Sequence, residues 1–334
     1  MMSDRIHALE EWLKNHLNIQ HSPLVAMTND ASFRRYFRFH LHGVSHIAMD
    51  APPDKENCTP FIDVAQRLRA SGLNAPQIIA QNLEQGFLLL SDLGSQLYLP
   101  ALTETQVETL YQDAIDALIL MQTRTSSEHL PLYDERLLHN EMALFTDWLL
   151  DKHLHIPLSS NEFTAIRACF TLLSDSARSQ PQVFVHRDYH SRNLMVVPDH
   201  NPGILDFQDA VKGPLTYDLV SLLRDCYIAW PTERVMWWAK DYFQKAQHAH
   251  LFPQEVNETQ FLQWFDWMGI QRHLKASGIF ARLYRRDGKP GYLKDIPRTL
   301  NYIVQVSQNY PQLGELHALV RERVLPACQL MAMN

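Results

Sequence analysis

The sequence of 334 residues predicts an α+β fold of two lobes, one built on a small antiparallel sheet and one that is larger and mostly helical. Short apolar and β-branched runs follow one another over residues 24–91, with one strong helical pattern among them. Further along the chain, apolar residues recur mainly at helical spacing. We therefore expect the small lobe to span residues 1–92 and the large lobe to span residues 93–334.

The small lobe is expected to carry five strands and one main helix. Residues 4–17 predict a first, amphipathic helix, because Leu9 and Leu13 fall on one face. The main helix is predicted at 57–71, and Ser71-Gly72 ends it. The strand-like runs lie at residues 24–27, 35–41, 46–50, 77–82 and 86–91. Strands joined by such short connections pair antiparallel.

In the large lobe, two helix starts are marked by capping residues. Thr103 with Gln106, and Ser159 with Glu162, have the spacing of a capping box. Helical patterns resume at 216–229 and continue towards the end of the chain. The large lobe is therefore predicted to be helical on both sides of a short interruption.

That interruption is a polar hairpin. Three short strand-like runs lie at 183–185, 194–197 and 204–205, and turn residues separate the last two. Asp188 and Asn193 follow the first run, and Asp206 ends the third. Because the runs are short, we expect these polar side chains to converge.

Asp188 and Asn193 have the His-x-Asp-x4-Asn spacing of a catalytic loop that serves phosphoryl transfer. Such a reaction needs one carboxylate beside the attacking hydroxyl, and Asp188 is the candidate for this catalytic role. It also needs oxygen ligands for Mg²⁺, which Asn193 and Asp206 provide. A polar loop selected only for its turn chemistry is the alternative, but the whole pattern is far more specific than a lone His-x-Asp.

These residues, together with 213–223, resemble the aminoglycoside phosphotransferase family. The resemblance implies a protein-kinase-like fold, ATP and Mg²⁺ as cofactors, and a small molecule with a hydroxyl group as acceptor. It also implies that Asp218 supports the catalytic loop. We expect His186 to support the same loop by hydrogen bonding.

The resemblance extends to one branch of the family, the bacterial sugar kinases of cell-wall recycling, through 31–38, 49–53, 206–210 and 224–227. That branch phosphorylates the anomeric hydroxyl of N-acetylmuramate and N-acetylglucosamine. A basic segment at 272–298 suits the lactyl carboxylate of N-acetylmuramate. The acceptor-binding candidates are Arg192, Asp209, Arg224, Tyr227 and Arg282.

Two departures from the kinase pattern concern the nucleotide. The loop at 28–34 has no glycine, and Asp50 stands where the third strand of a kinase carries a phosphate-binding lysine. Because a carboxylate cannot neutralise phosphate, we expect Arg34 or Arg35 to supply the missing cation, although a solvated pair of charges is an equal alternative. The residues predicted to bind nucleotide are Ser32, Phe33, Arg34, Arg35 and, at a hinge between the lobes, Ser91, Asp92 and Leu93.

Composition and charge restrict the partners. Acidic residues number 37 and basic residues 30, which gives a formal net charge of −7 without a basic patch, so we expect no nucleic-acid partner. No apolar run is long enough to span a bilayer, and the four cysteines lack CxxC spacing. We expect a cytoplasmic monomer that does not bind membranes.

The motif spacing predicts a phosphotransferase with an alcohol group as acceptor, and the resemblance implies that it is an ATP-dependent amino-sugar 1-kinase. Two alternatives stay open. One is a kinase for another small hydroxylated acceptor, such as an aminoglycoside, choline or homoserine. The other is a non-catalytic binding protein on a kinase-like scaffold, which the missing lysine and the glycine-free loop favour.

Overall fold

The structure is a computed structural model that describes residues 2–18, 21–27 and 33–333. The chain forms two compact units. Unit 1 contains Met1–Thr125 and Arg192–Asp209, and unit 2 contains Ser126–Ser191 and Ala210–Asn334. The chain therefore crosses from one unit to the other three times, and two of these crossings flank the polar hairpin.

The elements follow the predicted order of strands first and helices later. In chain order they are α1 (Met2–Leu17), β1 (Val25–Ala26), β2 (Arg35–Leu41), β3 (Val44–Asp50), α2 (Thr59–Ala70), β4 (Ile78–Asn82), β5 (Phe87–Ser91), α3 (Tyr98–Ala101), α4 (Val107–Arg124), α5 (Glu135–Leu144), a π-helix (Phe145–Leu154), α6 (Ser160–Ser179), β6 (Gln182–Val185), β7 (Leu194–Met195), β8 (Gly203–Ile204), β9 (Val211–Pro214), α7 (Tyr217–Leu223), α8 (Thr232–His248), α9 (Glu258–Asp287), a 3₁₀ helix (Pro290–Asp295), α10 (Ile296–Ser307), a second 3₁₀ helix (Pro311–Leu313), α11 (Gly314–Leu319), a second π-helix (Val320–Val324) and α12 (Leu325–Met333).

The main sheet of unit 1 has the strand order β1-β2-β3-β5-β4, and each neighbouring pair is antiparallel. Together with α2, this confirms the predicted antiparallel sheet with one main helix. Helix α1 covers one face of the sheet, which we call the α1 face. Its buried core consists of Leu9, Leu13, Phe37, Phe39, Ala48, Ala80, Phe87 and Leu89.

The opposite face of the sheet is set by strand alternation, because successive side chains point to opposite sides. Tyr36 pairs with Met49 across β2 and β3, and Met49 pairs with Leu88 across β3 and β5. These three positions alternate with residues of the α1 core. We call this second surface the Tyr36 face.

Unit 1 extends beyond the predicted hinge because α3 and α4 pack with the β7–β8 hairpin. The Val196 N–H donates to the Gln96 carbonyl at 2.7 Å. The Asn201 side-chain amide donates to the Tyr98 hydroxyl at 2.7 Å and to Asp113 at 2.8 Å. The compact units divide the chain at positions other than residue 92. The lobe boundary after residue 92 stays a prediction.

Unit 2 is organised around α9, a 30-residue helix that is buried along much of its length. It contacts α5, α6, α7, α10 and the first π-helix, and β6 pairs antiparallel with β9 beside them. This confirms the mostly helical second part of the fold. Within the described ranges, no helix combines the length and the apolarity that crossing a bilayer requires.

The two predicted capping boxes had different outcomes. At α6 the box is present: the Ser159 hydroxyl accepts the Glu162 N–H, and the Glu162 carboxylate accepts the Ser159 N–H at 2.7 Å. Hydrogen bonds that the Glu162 carboxylate accepts from the Ser159 N–H, the Ser159 hydroxyl and Arg323 lower the pKa of Glu162 to about 2. The prediction at Thr103 was wrong. A backbone turn, with the Val107 N–H donating to the Thr103 carbonyl, precedes α4, so the helix begins at Val107.

Gly278 marks a close approach between α9 and the junction of α5 with the first π-helix, because a Cβ there would lie 2.2 Å from the Leu144 carbonyl carbon. Gly278→Ala should therefore lower the free energy of unfolding by about 1–3 kcal/mol, since the two backbones must separate. Gly314→Ala is the matched control, with no atom within 4 Å of the added carbon. Thermal unfolding followed by circular dichroism measures both variants, and equal melting temperatures would contradict the close packing.

Candidate active site

The predicted catalytic loop lies in unit 2, directly after β6. Asp218, near the start of α7, accepts hydrogen bonds from two successive backbone N–H groups of this loop, those of His186 at 2.6 Å and Arg187 at 3.0 Å. Asp218 and His186 are both fully buried. Burial raises the pKa of Asp218, although His186 and the two N–H groups oppose the shift. The supporting role of Asp218 stays a prediction, for which these two hydrogen bonds provide a structural basis.

Arg187 occupies a strained backbone conformation, with a φ of 78° in the left-handed region. A non-glycine residue there costs on the order of 1–3 kcal/mol and persists only where its surroundings fix it. Here the Arg187 carbonyl accepts a hydrogen bond from Arg272 at 2.6 Å, and the Arg187 guanidinium pairs with Glu141 at 2.5 Å. The residue just before Asp188 is thus held through both its backbone and its side chain.

Asp188 is a partly buried carboxylate near several cations. Burial alone would raise its pKa, but Lys275, His190, Arg272 and Arg187 outweigh burial and hold the pKa of Asp188 well below its usual range. Lys275 is itself buried on α9, where it pairs with Glu141 at 3.1 Å and donates to the Tyr217 hydroxyl at 2.9 Å. Asp188 therefore stays ionised at physiological pH.

A second buried carboxylate, Asp225, holds the other end of the loop. It accepts the Ser191 N–H at 3.0 Å and the Ser191 hydroxyl at 2.5 Å, and its second oxygen accepts the Tyr227 N–H at 2.8 Å. The chain leaves the helical conformation at this point, because α7 ends at Leu223. The prediction of helix throughout 216–229 was wrong at its end, since Asp225 bonds the loop and its own turn.

In unit 1, the β7–β8 hairpin brings the two predicted metal ligands together. The Leu205 N–H donates to the Asn193 carbonyl at 2.9 Å, and the Asn193 side-chain amide donates to Asp206 Oδ2 at 3.3 Å. The other carboxylate oxygen of Asp206 accepts the Gln208 amide at 2.9 Å. Asp206 is exposed, with a left-handed backbone (φ 61°). An amide group and a carboxylate therefore lie side by side at the surface of unit 1.

This pair of oxygen-bearing side chains fits Mg²⁺, which takes one or two protein ligands and keeps waters and phosphate oxygens as the others. Such a site needs no denser cluster, and the described residues contain no group of three or more His, Cys, Asp or Glu arranged to hold a metal. Phe207 fixes the adjacent backbone, because its buried ring packs 4.9 Å from that of Phe61 on α2. Asn193 and Asp206 are therefore suitable magnesium ligands.

The predicted nucleotide-binding residues before β2 lie close to one carboxylate. Ser32 is outside the described residues. The Phe33 side chain is exposed, and its N–H donates to Glu56 at 3.2 Å. Arg34 pairs with the same glutamate at 2.9 Å, and both side chains of this ion pair are largely buried. Glu56 thus holds the two residues that precede β2 in place.

At the predicted hinge, the side chains serve the structure of unit 1. The Asp92 carboxylate accepts from Arg38 at 2.6 Å and from the Ser45 hydroxyl at 2.5 Å. Although burial acts in the other direction, these bonds lower the pKa of Asp92. The Ser91 hydroxyl accepts the Gln77 N–H at 2.8 Å. Leu93 packs against Gly203 of β8, where a Cβ would lie 3.0 Å from the leucine Cδ1. Recognition of adenine by hinge backbone groups is compatible with this arrangement.

Asp50 is fully buried and lies on the α1 face of the sheet. It accepts hydrogen bonds from the Nε atoms of Arg35 and of Arg5 on α1, each at 3.0 Å. The neighbouring residue of β3 on the Tyr36 face is Met49, which is apolar. The sequence comparison put Asp50 in the place of the kinase lysine, but its side chain is directed towards α1 and its charge is balanced there.

Three of the predicted acceptor-binding arginines and aspartates have distinct settings. Arg192 and Asp209 are the end residues of the segment that belongs to unit 1. Arg224, in unit 2, is buried, pairs with Asp266 at 2.6 Å and stacks on the Phe265 ring at 4.3 Å. These contacts give Arg224 a structural role, and its contact with an acceptor stays a prediction.

Tyr227 and Arg282 complete the predicted acceptor set in unit 2. The Tyr227 ring lies edge-on to His190 at 5.3 Å and at 6.1 Å from Phe280. His190 follows Asp188 by two residues, so Tyr227 lies beside the catalytic loop. Arg282 is half-buried on α9. The acceptor contacts of Tyr227 and Arg282 also stay predictions.

Sequence reasoning assigned no role to Asp225 or Glu141, and it placed Lys275 only in the basic segment that suits an acceptor carboxylate. The structure places all three at the loop. Asp225 lies within the segment 224–227 that the family resemblance had already marked. Lys275 follows Arg272 at a spacing that puts both on one helical face, so periodicity within the basic segment could have found it. Nothing in the sequence links Glu141 to them, because α5 and α9 are far apart in the chain.

A comparison with family models identifies the class of protein. The APH model, described as the phosphotransferase enzyme family, matches residues 24–261. The match covers more than half of the chain, including the main sheet, the catalytic loop and the β7–β8 hairpin. The chain therefore belongs to the phosphotransferase enzyme family.

Three similar proteins with the same name match this chain over most of its length. A protein of Pseudomonas putida named N-acetylmuramate/N-acetylglucosamine kinase is 44% identical over 328 residues, which cover 95% of this chain and 96% of that protein. The protein of the same name from Pseudomonas aeruginosa is 46% identical over 89% of this chain and 87% of its own length. That from Neisseria meningitidis is 41% identical, with 95% of each chain covered.

Solved structures share the fold at low sequence identity. The ADP-bound aminoglycoside phosphotransferase APH(2'')-Ib superposes with a TM-score of 0.58 at 15% identity, covering 88% of this chain and 97% of its own. The choline kinase LicA from Streptococcus pneumoniae gives a TM-score of 0.61 at 12% identity, covering 89% and 99%. These likenesses confirm the protein-kinase-like fold.

Asp218→Asn should lower kcat by about tenfold to hundredfold, because one charge-assisted hydrogen bond to the loop, of about 1.5–3 kcal/mol, is lost. The variant should stay folded, since burial already disfavours the charged form of this side chain. KM should change little, because Asp218 positions the loop. Steady-state kinetics and circular dichroism measure these effects, with the exposed Asp175→Asn as control. A wild-type kcat in Asp218→Asn would contradict the positioning role.

The pH dependence of kcat should report the cations around Asp188. Because its pKa is depressed, Asp188 stays ionised over about pH 5 to 8 and gives no loss of activity there. In the double variant Glu141→Gln/Lys275→Met, the pKa of Asp188 should rise towards its usual value. As the pH is lowered, the activity of this variant should therefore begin to fall at a higher pH than that of the wild type.

The matched control for this pH prediction is Lys240→Met/Glu258→Gln, which removes an exposed ion pair of 2.9 Å. The test variant Glu141→Gln/Lys275→Met removes both members of a buried ion pair, and Arg187, which also pairs with Glu141, can still donate to the amide oxygen that replaces the carboxylate. Profiles of kcat against pH should coincide for the wild type and this control. An acidic limb that does not move in the Glu141→Gln/Lys275→Met variant would show that Lys275 does not govern the ionisation of Asp188.

Proposed function

We propose that this protein is an ATP-dependent sugar kinase that phosphorylates the C1 hydroxyl of N-acetylmuramate and N-acetylglucosamine. The observation that carries the proposal is the identity of 41–46% to kinases named for these sugars, over nearly the whole length of both chains. The intact catalytic loop supports it. Phosphorylation of these sugars would serve the recycling of peptidoglycan.

In this reaction a bond forms between the sugar C1 oxygen and the γ-phosphorus. The bond between the γ-phosphorus and the bridging oxygen breaks, ADP leaves, and the proton of the C1 hydroxyl passes to Asp188. Phosphoryl transfer has a loose transition state, so the orientation of the hydroxyl contributes more than its early deprotonation. Asp188 suits this role because it is ionised and held by a fixed loop.

The depressed pKa of Asp188 makes it a weak base, which affects the choice of acceptor. An anomeric hydroxyl is more acidic than an ordinary alcohol, so it loses its proton to a weak base more easily. The cations around Asp188 therefore favour a carboxylate that orients the acceptor hydroxyl and takes its proton late. A C1 hydroxyl is compatible with this electrostatic setting, and the choice of this hydroxyl rests on the named relatives.

Asn193 and Asp206 would hold Mg²⁺ through their side-chain oxygens. Bound there, the ion would compensate the negative charge of the polyphosphate and orient it. The exposure of Asp206 and the all-oxygen character of the pair fit this ion. Phe207 and the hairpin hydrogen bond between Leu205 and Asn193 keep the two ligands side by side.

The alternative functions have less support. The solved structures of an aminoglycoside phosphotransferase and a choline kinase are only 12–15% identical to this chain. At that level of identity, a shared fold does not imply a shared acceptor. A non-catalytic scaffold protein would have no use for a strained Arg187 or for the buried carboxylates of Asp218 and Asp225. These features cost free energy and all of them position the catalytic loop.

Phosphorus NMR of the product tests acceptor and position together. The protein with MgATP and either sugar should give a product whose phosphorus couples to the anomeric proton. The methyl glycosides of both sugars, which have no free C1 hydroxyl, should give no product. Aminoglycosides, choline and homoserine should also remain unmodified. Phosphate on another hydroxyl, or turnover of a methyl glycoside, would contradict the proposal.

A further inference from the structure

The end of β3 provides no cation on the Tyr36 face of the sheet. Asp50 lies on the α1 face, and Met49, which pairs with Tyr36, is apolar and fully buried. A nucleotide triphosphate nevertheless needs a positive side chain besides the metal, because its negative charge is otherwise poorly compensated. Another element of unit 1 has to supply that charge.

Arg35 is committed elsewhere. Its Nε donates to Asp50 at 3.0 Å, and Arg5 of α1 donates to the second oxygen of the same carboxylate, also at 3.0 Å. Asp50 has no exposed surface, so it depends on these guanidinium groups for compensation of its charge. Arg35 therefore serves the junction between α1 and the sheet.

Arg34 has the opposite orientation. Its guanidinium pairs with Glu56 at 2.9 Å and donates a hydrogen bond to the Tyr36 hydroxyl, with only 11% of its side chain exposed. Glu56 also accepts the Phe33 N–H at 3.2 Å, which fixes the anchor. A guanidinium has five N–H donors in a rigid fork, so one such group can pair with a carboxylate and bind a phosphate together.

Tyr36 links Arg34 to the metal-binding hairpin. Burial raises the pKa of the Tyr36 hydroxyl, Arg34 opposes the shift, and the carboxylates of Asp206 and Glu56 add to it. Arg34, Tyr36 and Asp206 all belong to unit 1, and Phe207, the neighbour of Asp206, packs 4.9 Å from Phe61 of α2, the helix that follows Glu56. Both Arg34, through Glu56, and the predicted metal ligand, through Phe207, are therefore tied to the start of α2.

We infer that Arg34, positioned by Glu56 and Tyr36, is the phosphate-binding cation of this enzyme and takes the role of the missing third-strand lysine. The inference rests on the proposed function, because it assumes that unit 1 binds ATP. It assigns different roles to Arg34 and Arg35, between which the sequence did not decide. Arg34 binds the α- or β-phosphate, and Arg35 neutralises Asp50.

Calorimetric titration with ADP and with adenosine, in the presence of magnesium, tests the inference without an acceptor. Arg34→Gln should weaken ADP binding by about tenfold to hundredfold, the loss expected for a charge-assisted contact. Adenosine binding should be unchanged, because it has no phosphate. The ADP affinity of Arg34→Lys should lie between those of the wild type and Arg34→Gln, since lysine keeps the charge but loses the planar fork. This variant carries the test should Arg34→Gln fail to fold.

Two further variants separate the roles of the neighbouring arginines. Arg35→Gln should lower the melting temperature, because a buried carboxylate loses a partner, and should affect ADP and adenosine equally. Arg67→Gln on α2 removes a partly exposed arginine paired with Asp63 and should change neither affinity. A phosphate-selective loss in Arg35→Gln, with none in Arg34→Gln, would reverse the assignment.

The outcomes also distinguish this inference from the proposed function. A wild-type protein that binds ADP and phosphorylates the sugars, with unchanged ADP affinity in Arg34→Gln, overturns the inference and leaves the kinase intact. A wild-type protein that binds no adenine nucleotide overturns both. Selective loss of ADP over adenosine in Arg34→Gln alone supports the assignment of Arg34.

Discussion

Two hydrogen bonds from consecutive backbone N–H groups to the buried carboxylate of Asp218 are the constraint on which the catalytic loop depends. They set the direction in which the chain leaves β6 and allow Arg187 to keep a left-handed conformation. Asp225 holds the loop at its other end through Ser191. Burying two carboxylates costs free energy, and the structure uses both to fix the few residues that position Asp188.

Compensation of buried charge is a second theme, and it has different consequences in the two units. In unit 2, Lys275 and Arg272 help to keep Asp188 ionised, so in the proposed reaction this carboxylate would act by its position more than by its basicity. In unit 1, Arg5 and Arg35 neutralise Asp50 and join α1 to the sheet. The same type of pairing therefore supports chemistry in one unit and architecture in the other.

Local patterns predicted much of the fold and of the site. Strand alternation and helical periodicity located the sheet and α2. Motif spacing predicted roles for Asp188, Asn193 and Asp206, and the structure brings the last two together. Contacts between distant segments were beyond this reasoning, as the pairing of Glu141 with Lys275 illustrates. Sequence reasoning also did not predict which face of the sheet carries the Asp50 side chain, because a shift of one residue along a strand moves a side chain to the opposite face. The Thr103 capping pattern failed because a backbone turn satisfied the same donors.

The central role of Asp188 is tested most directly by comparing binding with catalysis in Asp188→Asn. The substitution removes the proton acceptor while keeping size and shape, so kcat should fall by about 10²–10⁴. Calorimetric dissociation constants for ADP and for N-acetylmuramate should stay close to those of the wild type. The exposed Asp199→Asn variant should retain wild-type kcat. A near-normal kcat in Asp188→Asn, with both ligands bound, would contradict the assignment of Asp188 as the residue that orients and deprotonates the acceptor.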